Sequence, residues 1–141
     1  MRMKISLILT GLAIFISIMG LLFSDTANAQ PLPDLIITKI ECVPPQSRLS
    51  FTVTNQSNVP LPKDWRGVAR VYLPGRMEQI VDLGRPTSGS LAPAGGSATY
   101  RLTYKIKGKI SVKVVVDSTN SIKESNEENN EKVQKLEPCP R

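Results

Sequence analysis

Two runs late in the chain alternate apolar and polar residues one for one, a period that fits β-strands and no other regular element. Tyr100, Leu102, Tyr104 and Ile106 interleave with Arg101, Thr103, Lys105 and Lys107, and after Gly108 the residues Ile110, Val112, Val114 and Val116 interleave with Lys109, Ser111, Lys113 and Val115. A helix would need apolar residues every three or four positions. Beyond Ala29 no segment keeps such a stripe. The two runs read as an antiparallel pair joined by a tight turn at Lys107-Gly108-Lys109.

The same reading finds five more strands. Asp34 to Cys42 is rich in Leu and Ile and stops at Pro44-Pro45. Arg48 to Asn55 sets Leu49, Phe51 and Val53 against Ser50, Thr52 and Thr54. Trp65 to Leu73 has Ala69, Val71 and Leu73 on the parity of Trp65, which makes that tryptophan a core or rim aromatic, with a sugar-stacking platform as the alternative. Met77 to Leu83 and Glu131 to Leu136 complete about seven strands, separated by Gly-, Pro- and Asn-rich connections such as Gly84 to Gly96. Short strands with such punctuation predict an all-β sandwich.

The N-terminus carries Arg2 and Lys4, then an apolar run from Ile5 to Phe23, then Ala27-Asn28-Ala29. This is the pattern of an export signal cleaved after Ala29, leaving residues 30–141 as one domain; an uncleaved anchor is the alternative. Both cysteines, Cys42 and Cys139, remain after cleavage, and in an oxidising compartment one disulfide is the economical reading. The chain has no histidine and no Cys-x-x-Cys spacing, which leaves a metal or redox pair without its usual parts. The net charge of +6 is mild and allows a peripheral attraction to anionic surfaces.

Three segments resemble one family. Asp34-Leu35 near the start, Asn55 with Ala94-Gly95-Gly96 in the middle, and Val116-Asp117 followed by Glu124 to Asn130 stand in the order found in CARDB, a cell-adhesion-related, immunoglobulin-like module of bacteria. The resemblance implies an immunoglobulin-like sandwich over residues 33–136. The turn after Asn55 departs from it, with Gln56-Ser57-Asn58 where the family often has glycine. In such sandwiches the first and last strands lie side by side, which is where Cys42 and Cys139 fall.

Two surfaces are candidates for function. Asp117, Asn120, Glu124, Asn126, Asn129 and Asn130 carry hard oxygen donors suited to calcium, although the spacing is not an EF-hand: Thr119, Ser121 and Ile122 stand at its third, fifth and sixth positions. Alternatively, these side chains brace a turn, with Asp117 and Asn120 holding its start and Asn126 and Asn130 tying it to the last strand. Arg101, Lys105, Lys107, Lys109 and Lys113 would gather on the outward face of the expected hairpin as a patch for an anionic polysaccharide or membrane surface, or simply as a solvated, edge-protecting face. Nucleic acid fits poorly, since no aromatic interleaves with these charges.

Without histidine neither a Ser-His-Asp nor a Cys-His arrangement can be built, and Asp64, Asp82, Asp117 and Glu124 show no pairing signal. The expectation is therefore an exported, non-enzymatic binding or adhesion module for a protein or glycan, needing no cofactor. The alternative is a calcium-stabilised structural or spacer domain.

Overall fold

A computed structural model describes residues 30–139. The expected signal segment, residues 1–29, lies outside them. Eight strands form in chain order: β1 Leu35–Val43, β2 Arg48–Asn55, β3 Val68–Tyr72, β4 Gln79–Asp82, β5 Ser88–Ser90, β6 Ser97–Lys105, β7 Ile110–Val115 and β8 Glu131–Leu136. They make two four-stranded antiparallel sheets, ordered β1-β2-β6-β5 and β4-β3-β7-β8. Among the described residues no helix is long and apolar enough to cross a membrane.

Period-two parity places the core correctly. Leu49, Phe51 and Val53 of β2, Tyr100 and Leu102 of β6, Ala69 and Val71 of β3, and Val112 and Val114 of β7 are all buried between the sheets. Loop residues Leu61, Leu91 and Ile122 close the ends of this core. Phe51 and Tyr100 stack with centroids 5.1 Å apart. The Tyr100 hydroxyl donates to Leu83 O at 2.7 Å, so an otherwise buried phenol is satisfied by the opposite layer. Burial, and then the Asp82 carboxylate, hold that phenol well above its ordinary pKa.

The expected hairpin of the two alternating runs does not form. β6 pairs with β2 and β5, while β7 pairs with β3 and β8, and Lys107-Gly108-Lys109 carries the chain from one sheet to the other. Alternation fixes which side chains point inward; two such strands bury the same residues whether they are neighbours in one sheet or face each other across the core. The link leaves β6 where Ile106 N donates to Ser47 O at 2.8 Å.

The eighth strand, β5, sits inside the connection expected to be irregular. Ser88, Gly89 and Ser90 are all exposed and carry no alternation to read. Gly89 has φ +79, and a Cβ there would stand 2.2 Å from Ser97 O, so only glycine lets β5 approach β6 this closely. β3 also begins later than its parity suggested. Trp65 closes a turn instead, its N–H donating to Pro62 O at 3.1 Å, and its ring packs half-buried against the core edge.

A disulfide joins Cys42, in β1, to Cys139, just beyond β8, with Cα atoms 5.4 Å apart and a sequence separation of 97. It ties the outer strand of one sheet to that of the other, beside the bond from Lys132 Nζ to Thr38 O at 2.8 Å. Reduction should therefore loosen the sandwich along this side. Protein isolated from an oxidising compartment should resist alkylation until reduced, and reduction should lower its unfolding free energy by roughly 2 to 4 kcal/mol; alkylation of two thiols without reductant would contradict the link.

Candidate functional site

The polar residues singled out in the sequence meet at one end of the sandwich, where the β7–β8 connection, residues 116–130, folds back over the first residues of β1. Asp117 opens this connection with φ +40, a left-handed conformation that aspartate tolerates through local side-chain bonds. The residue is 4% exposed, and its carboxylate takes three contacts from the same turn: Ile122 N–H at 2.7 Å, Ser121 N–H at 3.2 Å and the Ser121 hydroxyl at 2.8 Å. Asn120 contributes backbone, not its amide. It sits at φ +51, is exposed, and its N–H donates to Asp117 O at 2.7 Å.

Glu124 is the second buried carboxylate, at 5% exposure. Leu35 N–H, at the start of β1, donates to its Oε2, and Asn130 Nδ2 donates to its Oε1 at 3.0 Å. Asn130 also accepts Val116 N–H on its backbone carbonyl at 2.8 Å, which closes the connection onto β8. Asn126 stays outside this closure: it is exposed, and its Oδ1 accepts Glu128 N–H at 3.0 Å in a local Asx turn.

A further cluster lies beside it. Asp34, 8% exposed, accepts Asn129 Nδ2 on Oδ1 at 2.9 Å and Gln56 Nε2 on Oδ2 at 2.7 Å, while its N–H donates to Asn55 Oδ1 at 3.2 Å. Asn55 is fully buried and its Nδ2 donates to Val59 O at 2.8 Å and Pro93 O at 3.3 Å. Gln56, the residue where the sequence departs from the resemblance, is thus a partner of the opening aspartate. Its role left no local signal, since the bond spans more than twenty residues of sequence. Asn129 Oδ1 and Asn130 Oδ1 are buried without a hydrogen-bond partner among the described residues.

The three buried carboxylates of this end, Asp34, Asp117 and Glu124, are already turned toward N–H or O–H donors of the chain. Among the described residues no group of three or more His, Cys, Asp or Glu is placed to hold a metal ion. What the arrangement does chemically is supply acceptors to loop N–H groups that no strand partner reaches.

The five basic residues do not share a face. Arg101 and Lys105 project from β6 in one sheet, Lys109 and Lys113 flank or lie on β7 in the other, and Lys107 is in the link between. Lys113 pairs with Glu131 at 2.6 Å and Lys109 with Glu137 at 3.1 Å. The single patch expected from a β6–β7 hairpin is therefore lost with that hairpin.

The fold and its stitched end define an immunoglobulin-like β-sandwich. Residues 32–134 match the family model of CARDB, the adhesion-related domain, and the chain belongs to that family. Among solved structures it is similar to the CARDB domain of a Pyrococcus furiosus protein, crystallised in complex with di-metal ions, at 23% identity over 75% of this chain and 93% of that one, with a TM-score of 0.49. The solution structure of the same Pyrococcus furiosus domain matches at 23% identity over 76% and 95%, with a TM-score of 0.44. A search of curated proteins finds no match.

Burial raises the Glu124 pKa to about 7, the bonds from Leu35 and Asn130 oppose the rise, and the carboxylates of Glu127 and Asp117 add to it. A carboxyl group that holds its proton more tightly folded than unfolded stabilises the fold at low pH, and that contribution is lost as pH rises through the folded pKa. Stability should therefore fall between about pH 5 and pH 8, by no more than roughly 3 to 4 kcal/mol from this group. Glu124→Gln keeps the shape without the charge: its oxygen can accept Leu35 N–H, and its NH2 can donate to Asn130 Oδ1 once the Asn130 amide turns over. Chemical unfolding of both proteins across this range should show the slope in the wild type and a flatter profile in the variant; equal slopes would remove Glu124 as its cause.

Proposed function

We propose that this domain is an exported, non-enzymatic binding module that recognises a protein or glycan partner at the cell envelope. One observation carries the reading: the buried carboxylates of its most distinctive segment are bonded to the chain's own N–H and O–H groups, as in a brace, with none left facing a cleft as an acid, base or nucleophile. A sandwich with braced loops is a rigid support for recognition by those loops. The Cys42–Cys139 disulfide supports an oxidising compartment, in line with the export signal read in the sequence.

The test is binding of the purified, fluorescently labelled protein to bacterial envelope fractions. Saturable binding that protease or periodate treatment of the envelopes removes is expected. Binding that never saturates, or that survives both treatments, would count against a protein or glycan receptor.

A second reading, a calcium-stabilised spacer, draws on the two unpartnered amide oxygens of Asn129 and Asn130 beside Asp34 and Glu124. The brace reading predicts that Asp117→Ala costs roughly 1 to 3 kcal/mol in calcium and in chelator alike. A wild-type melting temperature that rises with calcium, and a variant whose loss appears only in calcium, would favour the spacer.

A further inference from the structure

Three clefts open side by side around one half-buried indole, that of Trp65, and Arg66 lines all three. The largest, about 380 Å³, runs between Pro62–Arg66 and Ser121–Lys123. The others, about 290 and 280 Å³, continue past Leu83 and Gly84 toward Pro86 and Arg85. The ring packs against the core edge. A Cβ at Gly67 would stand 3.2 Å from Ile122 Cδ1 and 3.3 Å from Leu83 Cδ1, so glycine there lets these two core side chains close in, while Trp65 Cζ3, at 3.6 Å, lies at ordinary contact distance.

The facing wall is set by the Asp117 brace. Asp117 fixes the N–H groups of Ser121 and Ile122, and the Ser121 hydroxyl also lies 2.7 Å from Arg66 O. Lys63, Arg66 and Lys123 border the largest cleft with exposed side chains and no ion pair among the described residues, against the single carboxylate of Asp64. Arg85, at the far end, shares Asp82 at 3.4 Å. The charge around the ring therefore favours an anionic ligand.

The largest cleft is walled by connections, 62–66 and 121–123, that lie outside every strand, and several main-chain groups around the clefts are already bonded. Pro62 O accepts Trp65 N–H, Gly67 O accepts Leu83 N–H, Leu83 O accepts the Tyr100 hydroxyl, Gly84 N–H donates to Asp82 Oδ1, and Ala92 O accepts Leu61 N–H. An extended peptide gains much of its affinity by adding to a strand edge, and the walls of the largest cleft provide no such edge. A sugar ring needs no such edge: it brings a flat apolar C–H face for stacking and acidic groups that guanidinium and ammonium donors can bind.

We propose that Trp65 together with Lys63, Arg66 and Lys123 binds an acidic saccharide, a uronate-type sugar stacked on the indole with its carboxylate toward the cations. This rests on the binding-module reading and gives it a ligand class. Trp65 is the single tryptophan of the chain, so its fluorescence reports this site alone.

Titration with polygalacturonate should change Trp65 emission saturably and weaken with salt, whereas dextran, a neutral saccharide, and poly-L-glutamate, an acidic peptide, should have little effect. The double substitution Arg66→Gln/Lys123→Gln, on two exposed side chains, should weaken binding about tenfold or more. Trp65→Phe, which keeps a ring on the core edge, should weaken it less than Trp65→Ala does. Lys105→Glu/Lys107→Glu should leave it unchanged. Equal affinity for poly-L-glutamate would assign the cleft to acidic peptides and overturn the proposal, as would binding without an emission change or binding lost with Lys105 and Lys107 instead. No affinity for polygalacturonate alongside saturable envelope binding would overturn the saccharide site and leave the module standing.

Discussion

The Glu124 carboxylate is the contact on which this end of the sandwich depends. It accepts the N–H of Leu35, the first residue of β1, from a connection that belongs to the opposite sheet, and it holds Asn130 at the entry to β8. Without it a buried main-chain donor would lack a partner, a loss of about 1 to 3 kcal/mol for such groups. Keeping a charged group there also has a cost, visible in its raised pKa. The pattern is a buried polar joint whose members are nearly all satisfied, the condition under which such joints hold a structure in one arrangement.

From that joint the order passes outward. Asp117 fixes Ser121 and Ile122; the side chains of Ile122, Leu83 and Trp65 converge on Gly67; Ser121 reaches Arg66 O. Strand-free segments on the two sides of the Trp65 cleft are thereby held by the same turn. On the opposite long side of the sandwich the disulfide and the Lys132 contact close β1 against β8. The sheets supply a rigid body, and the loops at one end acquire fixed positions from a few carboxylates and amides.

The strands were legible because alternation reports burial directly: Phe51, Val53, Val71, Tyr100, Val112 and Val114 all lie where parity sends them. Strand pairing was not. β6 and β7 carry the same inward pattern that a hairpin would, and nothing local in Lys107-Gly108-Lys109 tells a tight turn from a crossing between sheets. β5 escaped because Ser88-Gly89-Ser90 has no apolar residue to mark it. At the site, the Asx- and Glu-rich stretch showed where local bonds would form, whereas the partners of Glu124 and Asp34 come from β1, Gln56 and Asn129, far away in sequence. Asn120 and Asn126 were read as braces by residue type; one serves through its backbone conformation and the other through a bond two residues on.

Buried carboxylates at this end of the sandwich serve backbone donors. Amide hydrogen exchange at Leu35 and Ile122, whose N–H groups donate to Glu124 and Asp117, tests this most directly. Followed by NMR in calcium and in chelator, both amides should exchange as slowly as those in the middle of β2 and β7, with the same protection in the two conditions. Rapid exchange in chelator that slows only when calcium is added would contradict the account.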